Sequence, residues 1–410
     1  MPTFSNTPRP AYVYEAATDQ WIPVGFGPHT HAVTDVTNAF NTTTVTTKGD
    51  LVVAAGSNNI TRLAAGANGE SLVADSTTTT GLRWQNTFAA GRNVIINGDF
   101  GIWQRGTSFT GASNVYTSDR WVNDYFDGTP SFTVARQTFT PGAAPVAGYE
   151  GNFFLRQTIS TTGGATVLNL TQKIEDARTL AGQTVTLSFW AKADSNRALN
   201  LVVFQSTGTG GSGGTTNLQS VSLTTAWQRF TWTFNIGSLS GATMGANSYV
   251  QLTFRQTIAA GSVLDIWGVQ LEAGSVASAF ETASGSIGGE LALCQRYYTT
   301  SIPTDFTIAN FSGMNQGSSS AIGWCSSGST NDIFTTIQYP VPMRAAPTFV
   351  IYSAGNRTAG SVRDAVTGSD LAVGNYSVQA GNNKGFNYMT GFTATTGRPY
   401  SFQWTASAEI

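Results

Sequence analysis

Short stretches of alternating apolar and polar residues recur about every 10–15 residues through the middle of the chain, separated by clusters of Gly, Ser, Thr and Asn. A period of two is typical of strands that bury one face, and such clusters are typical of turns. With an apolar run at 94–96, the pattern predicts about nine strands and a jelly-roll β-sandwich over residues 92–285. The strands after the first are predicted at 131–136, 153–157, 167–172, 183–190, 198–205, 228–234, 249–255 and 263–271.

The chain before residue 92 has a different pattern, with short strand-like runs in a background of Thr, Ala and Gly. Each run contains too few apolar residues to bury a core alone, so residues 1–40 need copies of themselves or another protein as a partner. Small residues at close spacing suit three backbones that approach one axis. We therefore predict an intertwined, triple-stranded β shaft over residues 41–91. The alternative is a disordered, Thr-rich linker.

Beyond residue 285 the pattern changes briefly and then returns to strands. Leu291, Cys294, Tyr297 and Tyr298 fall at helical spacing, which predicts a short helical connector over residues 286–298. The remainder, 299–410, predicts a second small β-sandwich that would form a tip. The predicted fold class is therefore all-β, with a fibrous N-terminal arm and shaft followed by two β-sandwiches, assembled as a trimer.

Composition excludes several classes of function. Charged residues make up 11% of the chain and the net charge is −2, so no basic surface for nucleic acid is expected. No apolar run reaches the length of about 18 residues that a membrane span needs. The first residues lack the basic and apolar regions of a secretory signal, so we expect synthesis in a cytoplasm. Cys294 and Cys325 are the only cysteines, and we expect free, buried thiols.

The sequence offers little for catalysis. A glycan-cleaving enzyme uses two carboxylates at a controlled separation, and the acidic residues here are sparse and scattered. Both histidines precede residue 32, which excludes a Ser-His-Asp arrangement in the predicted globular domains. No phosphate-binding loop of the Walker type and no metalloprotease helix occurs. We expect that the protein is not an enzyme.

The two histidines, His29 and His31, form a His-Thr-His pair. Residues i and i+2 of an extended strand point the same way, so six imidazoles of a three-chain fibre would face one axis. Such an octahedral site suits a transition metal such as iron or nickel rather than structural zinc. The alternative is a polar turn after Pro28 with both rings in solvent.

A cluster of aromatic residues between 103 and 126 is the candidate for glycan binding. Aromatic rings stack on the apolar faces of sugars, and neighbouring Arg, Asn and Asp side chains hydrogen-bond the hydroxyl groups. The alternative is that the tryptophans belong to the core of the sandwich, while the last two residues look better exposed. The candidates are Trp103, Tyr116, Trp121, Tyr125 and Phe126, with Arg105, Asp119, Arg120, Asn123 and Asp124 among them.

Several motifs in this order carry a resemblance to a known family. The Asn-Gly-Asp-Phe sequence at 97–100 is followed by Trp-Gln-Arg-Gly at 103–106 and Tyr-Thr-Ser-Asp-Arg-Trp at 116–121. Further motifs lie at 187–193, 225–230 and 269–274. Together they resemble the carbohydrate-binding-module-like domain of bacteriophage tail fibres. The Lys-Gly-Asp-Leu turn at 48–51 and the segment 341–348 are also similar to sequences in phage fibre proteins.

This resemblance implies a trimeric tail fibre of a virion. It implies that residues 1–40 attach the homotrimer to a phage tail, adaptor or neck protein, and that the sandwiches bind a host surface glycan such as lipopolysaccharide. Weak sugar contacts would gain strength by avidity over three chains. The alternatives are a purely structural head or neck appendage and, less favoured, a polysaccharide depolymerase.

The resemblance also implies a structural calcium ion beside the first strand. Asp99 and Asp265 occupy the matching positions, and Ca²⁺ needs six to eight oxygen ligands, so carbonyl groups and water would have to complete the site. The family pattern has an acidic residue after the Phe of the motif, where this chain has Gly101. The alternative is that Asp99 only forms a turn.

Overall fold

The computed structural model describes residues 11–24, 45–57, 59–66, 70–86, 91–111, 113–146, 149–302, 321–326, 332–355, 358–372, 377–379 and 381–410. The chain forms two units, residues 1–87 and 88–410. His29 and His31 lie outside the described residues, so the metal site predicted for them stays a prediction.

In the first unit the described strands pair as three antiparallel hairpins. Asp50 fixes the turn before the second hairpin, because its carboxylate accepts hydrogen bonds from the backbone of Thr47 and from Arg62 Nε, both at 2.7 Å. Trp84 Nε1 donates to the carbonyl of Ala64 at 2.8 Å and so joins the second and third hairpins. The hairpins are β1 (Ala11–Glu15) with β2 (Gln20–Val24), β3 (Leu51–Gly56) with β4 (Asn59–Leu63), and β5 (Glu70–Ala74) with β6 (Leu82–Asn86).

The second unit begins with a sandwich of two six-stranded antiparallel sheets, which confirms the predicted fold class for this part. The front sheet has the order β15-β14-β17-β12-β9-β8, and the back sheet has the order β16-β13-β18-β11-β10-β7. The strands are β7 (Ser108–Thr110), β8 (Val115–Tyr116), β9 (Val122–Phe126), β10 (Ser131–Thr138), β11 (Phe153–Thr161), β12 (Val167–Glu175), β13 (Thr184–Ala193), β14 (Arg197–Ser206), β15 (Thr216–Leu223), β16 (Gln228–Asn235), β17 (Tyr249–Thr257) and β18 (Val263–Ala273).

The alternation along each strand decides which side chains enter the core between the sheets. In β14, Leu199, Leu201 and Val203 are almost completely buried in this core. Asn200 and Val202 alternate with them and therefore project from the outer side of the front sheet. The same parity holds for β12 and β17, so the sequence pattern that builds the core also sets the composition of the outer face.

The segment 94–96 is not a strand, contrary to the prediction, although it runs beside β18. The backbone of this segment forms only some of the hydrogen bonds with β18 that a regular strand would form, because the side chain of Asn93 takes the place of main-chain groups. Asn93 Nδ2 donates to the carbonyl of Val269, and its Oδ1 accepts from the backbone N–H of Leu271 and Ile95. A side chain thus replaces the main-chain bonds that a regular strand would make.

A short helix and nine further strands complete the second unit. The helix α1 (Ile287–Gln295) begins at the N-cap Ser286, whose side chain accepts from the backbone of Gly289. Among the described residues no helix has the length and apolarity needed to cross a membrane. The strands are β19 (Tyr298–Thr300), β20 (Ala321–Cys325), β21 (Asp332–Gln338), β22 (Thr348–Ser353), β23 (Ser361–Asp364), β24 (Asp370–Ala372), β25 (Ser377–Gln379), β26 (Gly385–Thr390) and β27 (Pro399–Ser407).

These nine strands form one antiparallel sheet around β27, which pairs with β19, β20, β22 and β23. Phe349 on β22 and Phe386 on β26 are four strand positions apart in this sheet, a separation of about 19 Å if the sheet were flat. Their ring centroids lie only 4.4 Å apart. The sheet is therefore rolled around its own apolar core, to which Cys325 and aromatic residues of several strands contribute. Cys294 and Cys325 are buried thiols that form no disulfide, as expected.

Candidate functional site

The two tryptophans of the predicted glycan platform are core residues. Trp103 is 3% exposed and Trp121 is 0% exposed. Trp121 packs on Phe100 and Phe254 and donates its Nε1 hydrogen to the carbonyl of Asn97 at 3.0 Å. Neither ring presents a face to a ligand, which corrects the prediction for this pair in favour of the core alternative.

Two arginines near these tryptophans, Arg105 and Arg120, bind Glu409 rather than a surface ligand. Glu409 lies between two arginines of the first sandwich, with Arg105 Nη2 donating at 2.9 Å and Arg120 Nη1 forming a second ion pair. Arg105 also pairs with Asp119 at 2.8 Å. We call this contact the seam, formed by Arg105, Asp119, Arg120 and Glu409.

Aromatic rings of the connector cover the arginines of the seam. The guanidinium of Arg120 lies 3.5 Å from the ring centroid of Tyr297, and that of Arg105 lies 3.6 Å from the ring centroid of Tyr298. Burial raises the pKa of Tyr298 to about 12. The seam therefore joins the first sandwich, the connector and the C-terminal sheet through buried charges.

Tyr116, another predicted platform residue, lies at the edge of this seam. Its hydroxyl donates to the carbonyl oxygen of Ile410 at 3.4 Å, and burial raises its pKa to about 12. Tyr125 is half-buried and packs edge-on against Phe132 in the sandwich, with ring centroids 6.1 Å apart. Of the five predicted residues only Phe126 exposes half of its side chain.

The predicted calcium ligands do not fit the ion. Both oxygens of Asp265 accept hydrogen bonds from the guanidinium of Arg156, at 2.7 and 2.8 Å, and Lys192 lies 3.6 Å away. Asp99 lies in a cavity that Tyr149 and Glu290 also line. Burial and the charge of Glu290 raise the pKa of Asp99 to about 6. Within the described ranges, no group of three or more His, Cys, Asp and Glu residues is placed to hold a metal ion.

The outer side of the front sheet is open around β14, β15 and Arg255, while Asn169, Thr171 and Thr253 on the same side are buried. A polar row crosses five strands in register and consists of Ser220 on β15, Asn200 on β14, Arg255 on β17, Asn169 on β12 and Asp124 on β9. Successive strands lie about 4.8 Å apart, so the accessible part of the row, from Ser220 to Arg255, extends over about 10 Å. That length suits a short oligosaccharide.

Arg255 is the centre of this row. Its Nε donates to Asn169 Oδ1 at 3.1 Å, and its guanidinium lies 5.7 Å from the ring centroid of Phe126. Toward β14 and β15 it borders a cavity of about 430 Å³, which Asn200 and Leu218 also line. The described lining of this cavity consists of Asn200, Leu201, Val202, Leu218, Gln219, Ser220 and Arg255.

Apolar side chains flank the polar row. Leu218 is 70% exposed, Phe126 is 52% exposed, and both lie on the outer side of the front sheet. Phe204 and Tyr249 extend this apolar surface toward the other end of β14 and β17, with ring centroids 6.4 Å apart. We call this surface, from Ser220 and Leu218 across Arg255 to Phe126, the front face.

The C-terminal end of the chain bounds the front face on one side. Lys173, on β12, donates to the carbonyl oxygen of Ile410 at 3.0 Å. Glu175, two residues further along β12, pairs with Arg296 at 2.9 Å. These contacts cover the end of β12 and leave the part around Arg255 and Asn200 open.

The outer side of the back sheet is covered in contrast. Trp190 and Trp267 project from it and are 6% and 0% exposed. Phe139, Phe154 and Phe280 pack on them as a second apolar cluster. This side of the sandwich therefore offers no comparable open face in its described residues.

The sequence alone did not identify Arg255, Asn200, Asn169 or Leu218 as site residues. They come from separate strands and meet only through the register of the front sheet. A signal was present, because polar residues alternate with core residues in β12, β14 and β17. That alternation gives the composition of the outer side but not whether the side is open.

The chain is thus an all-β protein whose first sandwich has one covered and one open face. No protein-family model matches it, and no curated protein matches it. Among solved structures, it is similar to the CBM22-1 xylan-binding domain of Paenibacillus barcinonensis Xyn10C, at 13% identity and a TM-score of 0.28, over 47% of this chain and 100% of that one. Another similar structure is the family 11 carbohydrate-binding module of Clostridium thermocellum in complex with a β-1,3-1,4-mixed-linked tetrasaccharide, at 12% identity and a TM-score of 0.26.

That module is matched over 96% of its length and 41% of this chain. The enzymatically active domain of bacteriophage CBA120 tailspike protein 4 is similar at 15% identity and a TM-score of 0.29, over 45% of this chain and 22% of that one. Because all three TM-scores are below 0.5, we base the functional proposal on the residues of this chain.

Proposed function

We propose that the protein is a phage tail fibre that attaches the virion to its host by binding a surface glycan on the front face. The observation that carries this proposal is the accessible polar row from Ser220 through Asn200 to Arg255, which borders a cavity. The buried Asn169 holds Arg255 in place, and the exposed Phe126 and Leu218 flank the row. Sugars have apolar C–H faces and hydroxyl edges. Exposed apolar side chains accept the faces, and amide and guanidinium groups bond the hydroxyls.

Binding without cleavage is the mode that we propose for this face. Glycoside hydrolysis uses two carboxylates about 5–9 Å apart on either side of the scissile bond. The described lining of the cavity beside Arg255 contains no carboxylate. The described lining of this cavity therefore supports recognition and supplies no acid–base pair for cleavage.

The first unit supports a trimeric fibre as part of this proposal. Its strands expose large apolar side chains, with Tyr12 at 51%, Tyr14 at 47%, Ile60 at 46% and Leu72 at 39%. Two-stranded hairpins are at best marginally stable alone, and two further copies of the chain would cover these side chains. The N-terminal residues would then attach the homotrimer to a tail, adaptor or neck protein, and the sandwiches would project toward the host.

Three copies of a weak site give strong attachment. Linking binding modules in one particle raises overall strength by about 10²–10⁴ without any new contact at the single site. A shallow face with a few exposed apolar groups is therefore sufficient for a fibre that works in the virion after synthesis in the host cytoplasm.

The test is binding of the full chain to an array of oligosaccharides from bacterial surface polysaccharides. The double variant Phe126→Ala/Leu218→Ala should lose binding by about tenfold or more, because both side chains supply contact area to the sugar. Ile322→Ala is the matched control, since Ile322 is 59% exposed on a strand of the C-terminal sheet.

Equal loss in the control and the double variant would contradict the front face as the site. Absence of binding to any host polysaccharide would favour a structural appendage instead. Shortened polysaccharide chains after incubation would contradict binding without cleavage and favour a depolymerase.

A further inference from the structure

We infer that the glycan bound on the front face carries an anionic group, a carboxylate or a phosphate, which Arg255 holds. This inference rests on the proposed function and specifies its ligand class. The geometry behind it is a half-buried guanidinium at the border of the cavity whose terminal nitrogens have no acidic partner within the described residues.

The first step is the hydrogen bonding of Arg255. Its Nε donates to Asn169 Oδ1, and Phe126 lies beside the guanidinium plane. No carboxylate of the described chain lies within 4 Å of either Nη atom, and neither atom donates a hydrogen bond there. A guanidinium has five N–H donors, so most of those of Arg255 remain for a ligand.

The second step is a comparison with other arginines of the same sandwich. Arg156 pairs with both oxygens of Asp265 in the fork geometry, and Arg105 and Arg120 share Glu409. Several arginines of this sandwich are thus neutralised by the protein itself, whereas Arg136, like Arg255, has no ion pair among the described residues but lies outside the cavity beside Arg255. A half-buried cation without a partner is unfavourable, because burial removes hydration that no counter-charge replaces.

The polar row also contains one acidic residue, Asp124. Asp124 is on β9, and Asn169 on β12 lies between it and Arg255. Two strand spacings separate the two charges, which is about 10 Å. The cavity lies on the opposite side of Arg255, toward Asn200 and Ser220, so an anionic ligand seated there is remote from Asp124.

The chemistry of the pocket fits an acidic sugar. A guanidinium binds a carboxylate or a phosphate with two parallel hydrogen bonds. Asn200 and Ser220 line the same cavity and can bond neighbouring hydroxyls, while Leu218 and Val202 offer apolar surface to the ring. A uronic-acid-type sugar supplies the carboxylate, and a phosphorylated sugar supplies the phosphate.

The experiment uses the full chain and an array with three sets of bacterial-surface oligosaccharides, which bear carboxylates, bear phosphates or are neutral. We expect binding to at least one acidic set, and the set that binds identifies the source of the anion. Arg255→Gln should lower that affinity by about 10- to 100-fold, because a charge-assisted pair of hydrogen bonds is lost. The affinity for neutral oligosaccharides should change little.

Arg136→Gln is the matched control, since Arg136 is also half-buried and lies 4.3 Å from the ring centroid of Phe153, but on the back sheet. The affinity of Arg136→Gln for the acidic oligosaccharides should equal that of the unaltered chain. If Arg255→Gln does not fold, the salt dependence of the unaltered chain decides, because an ionic contact weakens between 50 mM and 500 mM NaCl and a neutral contact does not.

Binding of neutral oligosaccharides as tightly as acidic ones, or an unchanged affinity in Arg255→Gln, would overturn the inference and leave the proposed function intact. Absence of binding to all three sets would overturn the proposed function and the inference together.

Discussion

Glu409 accepts a hydrogen bond from Arg105 across 304 positions of the chain, with 2.9 Å between Oε1 and Nη2. The same carboxylate pairs with Arg120, whose side chain is 1% exposed. One acidic residue near the C-terminal end of the sequence therefore pairs with two arginines of the first sandwich, and Asp119 supplies the second negative charge. Arg105, Asp119 and Arg120, which the sequence suggested for glycan binding, are instead part of the seam.

We predict that Glu409→Ala destabilises the second unit by about 3 kcal/mol, because it leaves Arg120 buried without a counter-charge. The measurement is urea unfolding followed by tryptophan fluorescence. The control is Asp127→Asn, which removes an exposed carboxylate in a turn where Asn is equally suited. A loss in Glu409→Ala no larger than in the control would contradict the structural role of the seam.

Asn97 organises the turn that precedes the first buried aromatic residues. Its Nδ2 donates to the carbonyls of Ile102 and Asp119 and to Ser118, its Oδ1 accepts from the backbone of Ile102, and its φ is +57°. We predict that Asn97→Ala costs about 3 kcal/mol or more, because several buried groups lose their partners.

Asn114→Ala separates this loss from backbone strain. Asn114 has nearly the same φ, +58°, but is exposed. Its substitution should cost only about 1 kcal/mol, the price of a left-handed alanine. Equal thermal unfolding midpoints for the two variants would show that the hydrogen bonds of Asn97 contribute nothing.

Asp99 makes stability depend on pH. Burial and the charge of Glu290 raise its pKa in the folded state to about 6, above the ordinary aspartate value of 3.8. The folded state therefore holds a proton that the unfolded state releases, and the contribution of Asp99 to stability declines as the pH rises from about 4 to about 6. Asp99→Asn should flatten this decline and raise the unfolding midpoint at pH 7.

The measurement for Asp99 is the thermal midpoint at intervals between pH 4 and pH 7. Asp176→Asn serves as the comparison, because hydrogen bonds from Arg178 lower the pKa of Asp176. Its carboxylate contributes stability above the unfolded pKa that is lost as the pH falls, so its substitution should not flatten the decline. A pH profile of Asp99→Asn that parallels the unaltered chain would refute this assignment.

The proposed trimer predicts a particle of about 130 kDa, three times the 43.2 kDa of one chain. Mass measurement of the intact chain by light scattering tests this directly. Replacement of Tyr12, 51% exposed on β1, by Ser should weaken the assembly if its ring packs on a second copy. A monomer at micromolar concentration would rule out the fibre as proposed.

Eight of the twelve described strands in the first sandwich followed from the alternation of apolar and polar residues, because burial of one face imposes a period of two. The strands β7, β8, β9 and β15 were not predicted. The strand predicted at 94–96 is absent, because the side chain of Asn93 takes over backbone hydrogen bonds of β18. The pattern of apolar and polar residues does not reveal such a bond. A polar side chain that replaces main-chain hydrogen bonds between strands can be recognised only when the strand beside it is known.

The candidate site was predicted only in part. Trp121 and Phe126 are five positions apart and equally aromatic, yet one is in the core and the other is half exposed. Odd and even positions in and next to β9 face opposite sides of the sheet, but the sequence did not show which of the two sides faces the core. Arg255 and Asn200 became neighbours through register alone, and the domain boundaries at residues 41 and 286 stay predictions.

The measurement that tests the account most directly is a crystal structure of the full chain with an acidic oligosaccharide that it binds. We predict sugar rings along the row from Ser220 to Arg255, with the acidic group within hydrogen-bond distance of the Arg255 guanidinium. An oligosaccharide found at the seam, on the back sheet or on the C-terminal sheet, with the front face empty, would contradict it.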